Sequence, residues 1–321
     1  MTKKIFCIGG AALDRKLQSF ELIVHGTSNP VTTHKHFGGV ARNVAENLAH
    51  WAEGIYLHTV VGEDEDGIRM LSSLKEKGVD ITHSIILKSA RTANYFAILD
   101  AQGELYLSLA DMEIFDQTPV QRFTQGFNVW DEDSLLFMDT NLTTDILTCV
   151  IQAARDKKLR LCVDPVSVMK AKKLPADLNG IYLIKPNPKE ATTLTGIDIN
   201  NVDDAKQAGH ALLAMGAENV IITLGREGYV IVNETMNEYI GIEPIHDVIN
   251  ENGVGDAFMA GIIYGLQQGF TLEHACQWGA AAAAFTVTSP DTVASSLTAS
   301  QLLAFIHNQK IITGQHHVIA Y

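Results

Sequence analysis

The chain has 321 residues, 46% hydrophobic and 19% charged, with 24 Lys and Arg against 37 Asp and Glu for a net charge of -13. That length admits one large α/β domain with a small appendage, and the acidic balance argues against a nucleic-acid polyanion as the main partner. No apolar run approaches membrane-spanning length, and Met1-Thr2-Lys3-Lys4 leads into a short strand pattern without a secretory h-region, so a cytoplasmic location with no membrane partner is expected.

Lys4–Ile8 is an apolar run ending in Gly9-Gly10, the pattern of a buried first strand with a tight exit. Asp14 follows that exit, where an open parallel sheet binds ligands, although a turn aspartate would look the same. Phe20–Val24 and Val31–Phe37 favour β structure on either side of His25-Gly26-Thr27-Ser28-Asn29-Pro30, a loop signal. Gly38-Gly39 precedes a helical pattern over Val40–Trp51, and paired glycines there permit close approach of a ligand to the backbone. Ile55–Val61 predicts a strand, and an acidic start at Glu63–Asp66 opens a helix to about Lys77. Residues 92–99 and 104–109 predict a hairpin around Asp100-Ala101-Gln102-Gly103.

Ser134–Met138, Arg160–Val163, Ile181–Ile184 and Asn219–Thr223 are short apolar strands, with helical patterns near 143–155, 189–194 and 202–214. Helices follow at about 254–268, 271–285 and 298–308. Strands alternating with helices predict an α/β fold with a mostly parallel, doubly wound sheet flanked by helices. There is no internal repeat or long linker, no Walker-type GxxxxGK[ST], and the GxGxxG fingerprint fails at Phe258.

The chemistry concentrates where strands end. Asn252-Gly253-Val254-Gly255-Asp256 puts two glycines and a carboxylate at a loop-to-helix junction, where unpartnered N–H groups and the helix dipole attract an anion. Asp256, in the first turn, could take the proton of a hydroxyl attacking a phosphate. Taken alone, the stretch also reads as an ordinary Gly-rich loop before a helix. Lys185-Pro186-Asn187-Pro188-Lys189-Glu190 follows a strand and suits water-mediated Mg²⁺ contacts through Asn187 and Glu190, or a Pro-rich turn with a helix-start glutamate. Thr223-Leu224-Gly225-Arg226-Glu227-Gly228 could pass beneath a nucleotide or simply turn between two strands. Asp164-Pro165-Val166-Ser167 adds a carboxylate at the same sheet edge.

Cys7, Cys149, Cys162 and Cys276 have no CxxC spacing and read as buried small hydrophobes. His34/His36 and His316/His317 lack an evident third metal ligand and read as surface or lid residues.

Together these motifs resemble the ribokinase-like (PfkB) family of carbohydrate and nucleoside kinases from about residue 4 to 310. The likeness is carried by Gly38-Gly39-Val40-Ala41-Arg42-Asn43-Val44-Ala45 in the first half and Asn252-Gly253-Val254-Gly255-Asp256 in the second. The resemblance implies a ribokinase-like fold, one kinase domain over 1–321 with a small β lid from about 15–37 and 90–111. It also implies ATP and Mg²⁺ as cofactors and a small sugar or nucleoside as substrate. By it, Asp256 would be the catalytic base, with Gly253, Val254 and Gly255 forming the anion hole. Asp14, Gly38, Gly39 and Asn43 would bind substrate hydroxyls, with Asp164 on the substrate side. Asn187, Thr223, Gly225 and Gly228 would serve the nucleotide and Glu190 the Mg²⁺ through water. Relatives often dimerise through the lid, and edge strands at 17–37 would offer that surface.

Within the family the likeness is to the bacterial members that phosphorylate pseudouridine, through Ser28-Asn29-Pro30, Asp111-Met112, Asp164-Pro165-Val166-Ser167 and Val248-Ile249-Asn250. Asp111 would then accept from the uracil N–H groups, or be a hairpin-exit aspartate. Ribokinase, fructokinase and purine-nucleoside kinase activities, or a non-catalytic nucleoside sensor, are the alternatives. The family pattern Asp-Thr-x-Gly-Ala-Gly-Asp is departed from at Asn250, Asn252 and Val254. The missing carboxylate at Asn250 leaves activation by a monovalent cation open.

Overall fold

Four consecutive apolar residues, Ile5–Ile8, cannot alternate between core and solvent, and they form a strand buried on both faces. It runs parallel to Ile55–His58 on one side and to Leu135–Asp139 on the other. The sheet continues in parallel through Arg160–Asp164, Leu183–Ile184 and Asn219–Thr223. An antiparallel pair follows, Gly228–Val232 and Asn237–Glu243, and Val318–Ala320 lies parallel to the second of these. The computed structural model describes residues 3–308 apart from 244, 246 and 295, together with 318–320. Among the described residues this is the mostly parallel, doubly wound α/β sheet expected from the strand–helix alternation.

Both faces are covered. Val40–Ala49, Val254–Gln267 and Leu272–Val287 pack on one, and Thr144–Lys157 and Val202–Ala214 on the other. The two C-terminal helices approach closely because small residues meet: a Cβ on Gly261 would lie 2.4 Å from the Trp278 carbonyl oxygen. No helix among the described residues is long and apolar enough to cross a membrane.

A second sheet of four strands, in the order Val31–Gly38, Ala12–Ser19, Ala93–Leu99 and Leu105–Asp111, stands off the main one as the small β lid. Two sequence expectations change here. Phe20–Val24 is loop, and the strand precedes it at Ala12–Ser19. The Asn29 side chain ties the loop to itself, accepting from the Val24 N–H at 2.8 Å and donating to the Val24 carbonyl at 2.9 Å. Ile55–Val61 is also not one strand. It divides at Thr59, whose hydroxyl donates to the Gly9 carbonyl at 2.6 Å, and Val60–Gly62 leaves to pair with Ile85–Leu87.

Candidate functional site

Strand register assembles the first charges. Asp139 and Asp164 are directly paired residues at the carboxyl ends of adjacent strands. Lys185 leaves the next strand, its N–H donating to the Val163 carbonyl at 3.0 Å. Its ammonium lies 2.9 Å from Asp164 Oδ2, and both side chains are buried. Burial would lower the Lys185 pKa, but Asp164, with Glu190 and Asp256 beyond it, offsets that and raises it, so the cation persists. The other Asp164 oxygen accepts from the Val166 N–H at 2.8 Å. Val166 is held at φ 65°, an unfavourable region for a β-branched residue.

The Val254–Gln267 helix begins where the glycines predict. Gly253 caps it at φ 79°, and a Cβ there would lie 2.1 Å from the Thr292 carbonyl oxygen. Gly255 is different: a Cβ there would find the Lys185 ammonium 3.8 Å away, so the helix start opens towards that cation. Gly253→Ala should therefore destabilise the protein by about 2–3 kcal/mol, while Gly255→Ala stays within about 0.5–1 kcal/mol of the parent. Urea unfolding decides this, and equal stability of the two variants would contradict it.

Asp256 is half-buried in the first turn of this helix, and its Oδ2 accepts from Asn43 Nδ2 at 2.7 Å. Burial pushes its carboxyl up to about 7. The Asn43 hydrogen bond and Lys185 pull it down, and Asp164 and Asp139 push it up further. A carboxylate titrating near neutrality beside an open helix start suits proton abstraction.

A cavity of about 140 Å³ lies beneath the lid, lined by Asp14, Gly39, Tyr95, Met112, Asn141 and Lys170 among others. Asp14 stands within the Ala12–Ser19 strand, and burial raises its carboxyl to about 6 against the pull of Arg42 and Lys170. Gly38 and Gly39 serve the fold first. A Cβ on Gly38 would strike the Asp14 carboxylate, and one on Gly39 would sit 2.5 Å from the Gly10 carbonyl oxygen. Behind this cavity Asp139 Oδ2 accepts from the Gly10 and Ala41 N–H groups, each at 2.8 Å. Its Oδ1 accepts from the Asn141 N–H and Nδ2, each at 2.9 Å.

A second cavity, about 370 Å³, lies at the helix start, with Thr223, Gly225, Val254, Gly255 and Phe258 among its walls. Gly228 is not on it; a Cβ there would strike the Ile240 carbonyl, so it serves the strand pairing. Asn187 and Glu190 form a capping box. Asn187 Oδ1 accepts from the Glu190 N–H at 3.0 Å, and the Glu190 carboxylate accepts from the Asn187 N–H and Nδ2 at 2.9 and 2.8 Å. A larger cavity of about 810 Å³ opens beyond the lid edge, along Lys16, His34, His36 and Asp291. None of these three cavities is walled by Asp139, Asp164, Lys185 or Asp256 themselves. The two smaller ones are walled by their chain neighbours, Val254 and Gly255 beside Asp256 and Asn141 and Val166 beside Asp139 and Asp164, so the chemistry is placed there.

The structure thus brings Asp256, Gly255, Asn43 and Asp164 together, with Asp14 in the adjoining cavity. It does not bring in Asp111. That residue is exposed and pairs with Asn94, in the register row next to Asp14 and Tyr95, which turns it to the opposite face of the lid. Met112, one residue on, takes the cavity wall instead. Asp139, Lys185 and Lys170 were missed as site residues. Asp139 and Lys185 carried the same signal as Asp164, a charged residue closing or following an apolar strand. Cys7, Cys162 and Cys276 are buried, as expected, whereas Cys149 is only half-buried. His34 and His36 lie on the lid's edge strand, and His316/His317 fall outside the described residues. No three His, Cys, Asp or Glu side chains among the described residues are placed to hold a metal directly.

The sequence model of the pfkB family carbohydrate kinases matches residues 2–299. Pseudouridine kinase of Escherichia coli (strain K12) is 26% identical over 309 residues, covering 96% of this chain and 98% of that protein. Guanosine-inosine kinase of Exiguobacterium acetylicum is 25% identical over 296 residues, covering 90% and 95%. Among solved structures, Arabidopsis thaliana ribokinase complexed with ribose and ATP superposes with a TM-score of 0.85 at 19% identity, over 95% of this chain and 99% of that one.

Proposed function

The chain belongs to the pfkB family of carbohydrate kinases, and on that premise we propose that it transfers the γ-phosphoryl group of ATP to the 5′-hydroxyl of pseudouridine, with Asp256 as general base. The observation that carries the mechanism is the Asp256 carboxylate, hydrogen-bonded to Asn43 at an open helix start that faces Lys185. Nucleoside enters the cavity beside Asp14 and Asn141, and ATP the one beside Thr223 and Gly225. Asp256 takes the proton as the 5′-oxygen bonds to phosphorus and the bond to the ADP oxygen breaks. The N–H groups of Val254 and Gly255, with the Lys185 ammonium, stabilise the charge on the transferring group.

Mg²⁺ fits as a partner of the phosphates. Around Lys185 stand three carboxylates, those of Asp164, Glu190 and Asp256, an excess of negative charge. Both Glu190 oxygens already accept from Asn187, so Glu190 suits contact through water more than direct ligation. When bound, the ion would offset the charge of the phosphate oxygens.

The pseudouridine reading is supported by the likeness to the Escherichia coli enzyme over nearly its whole length. A non-catalytic sensor would need no carboxylate at position 256. ADP release with Mg-ATP across pseudouridine, uridine, adenosine, inosine, ribose and fructose tests it. Turnover at least about tenfold faster on pseudouridine than on uridine is expected, roughly 1.4 kcal/mol of discrimination. Preference for ribose or a purine nucleoside discards the substrate while keeping the mechanism.

A further inference from the structure

Arg42 has no part in the chemistry above, yet it lies one hydrogen bond behind it. Its side chain is buried on the Val40–Ala49 helix, and Nη1 donates to the Phe37 carbonyl and to Asn43 Oδ1, each at 2.7 Å. Its Nη2 pairs with Glu46, and the other Glu46 oxygen pairs with Lys77. Asn43 in turn donates from Nδ2 to Asp256 Oδ2 at 2.7 Å. The route from Lys77 to Asp256 is thus continuous, and each link alternates donor with acceptor.

An Asn side chain presents an acceptor on one side and a donor on the other, and turning the amide over exchanges them. Only one orientation satisfies both neighbours here: oxygen to the guanidinium, NH₂ to the carboxylate. Turned over, the amide oxygen would face the Asp256 carboxylate, two acceptors in contact, and that favours protonated Asp256. Nothing in Asn43 itself decides between the two. We propose that Arg42 is a positioning residue, which locks the Asn43 amide with its NH₂ towards Asp256 and so keeps that carboxylate oriented and ionised. Glu46 and Lys77 hold the guanidinium in place. The inference rests on the assignment of Asp256 as the base.

Asp256 is also faced by Asp164, Asp139 and Lys185, and the charge of Arg42 acts on it and on Asp14. A test must therefore separate the route through Asn43 from a direct effect of charge. Arg42→Met alone would leave the buried Glu46 with one carboxylate oxygen unpaired and only Lys77 as its partner, so Arg42→Met/Glu46→Gln is the main variant and Arg42→Lys the conservative one. The Asp256 carboxyl is followed by ¹³C NMR against pH, assigned with Asp256→Asn, which needs no substrate. The midpoint should rise by about one pH unit in Arg42→Met/Glu46→Gln, lowering the ionised fraction about tenfold well below the midpoint. Arg42→Lys should recover most of that shift, and the acid limb of kcat/KM should move with the midpoint in each variant.

In an Asn43→Ala background the same Arg42/Glu46 change should give less than about a third of the shift, since the relay is already cut. An unmoved midpoint, or the full shift without Asn43, overturns the proposal. If Asp256→Asn keeps its turnover, the base assignment fails on its own, and the carboxyl titration still reads whether Arg42 orients the amide.

Discussion

Asp256→Asn should lose about 10³-fold in kcat while substrate binding changes little, because an amide keeps the shape of the carboxylate but cannot accept the proton. The parent enzyme should lose kcat/KM about tenfold per pH unit below the Asp256 midpoint near 7, since only the ionised form acts as base. The same residue makes a stability prediction of opposite sense. Its folded pKa stands above the ordinary 3.8, so folding favours the protonated form. The stabilisation is fully present below about pH 4 and is lost as pH rises through 7. Asp256→Asn should accordingly match the parent at pH 4 and exceed it at pH 8, by on the order of 1–2 kcal/mol. Single-turnover phosphoryl transfer and chemical denaturation at the two pH values measure both. Turnover near the parent rate removes Asp256 from the base role.

Asp139→Ala should be among the most damaging substitutions for the fold, at about 3–5 kcal/mol. The side chain is fully buried. Its two oxygens take the N–H groups of Gly10, Ala41 and Asn141 and the Asn141 amide. These come from the loop after the first strand, the first turn of the Val40–Ala49 helix and the segment after Asp139. Truncation leaves three buried backbone donors without an acceptor and a void beside Gly9, which exists as glycine because a Cβ would strike the Asp139 carboxylate. Burial raises the Asp139 pKa, and the four donors oppose it. Asp139→Asn keeps the volume but brings an NH₂ group against those donors, and it should cost about half as much. Urea unfolding provides the measurement, with parental stability in Asp139→Ala the outcome that refutes it. Because the Gly10 loop and the Ala41 helix start also border the cavity beside Asp14, substrate affinity in the Asn variant should fall before kcat does.

What sequence alone determined about this protein is local in physical origin. Gly253 can adopt φ 79° where other residues resist, so a helix beginning at Val254 with Asp256 in its first turn follows from adjacent residues. Runs such as Ile5–Ile8 and Leu135–Met138 have no polar alternation, so they are strands buried on both faces. The order of such strands and helices already specified a doubly wound sheet, and two separated motifs specified the kinase family. Tertiary structure decided the rest. Phe20–Val24 has strand-forming residues but is loop, and Ala12–Ser19, with Asp14, Arg15 and Lys16 in succession, gained a strand on each side. Asp111 was turned away from the Asp14 face by register, where a shift of one residue exchanges faces. The Lys185–Asp164 pair depends on neighbouring strands. Asn43 meets Asp256 across 213 residues of chain. Such partners are chosen by strand order and by the packing of two helices, and neither leaves a mark in the residues beside them.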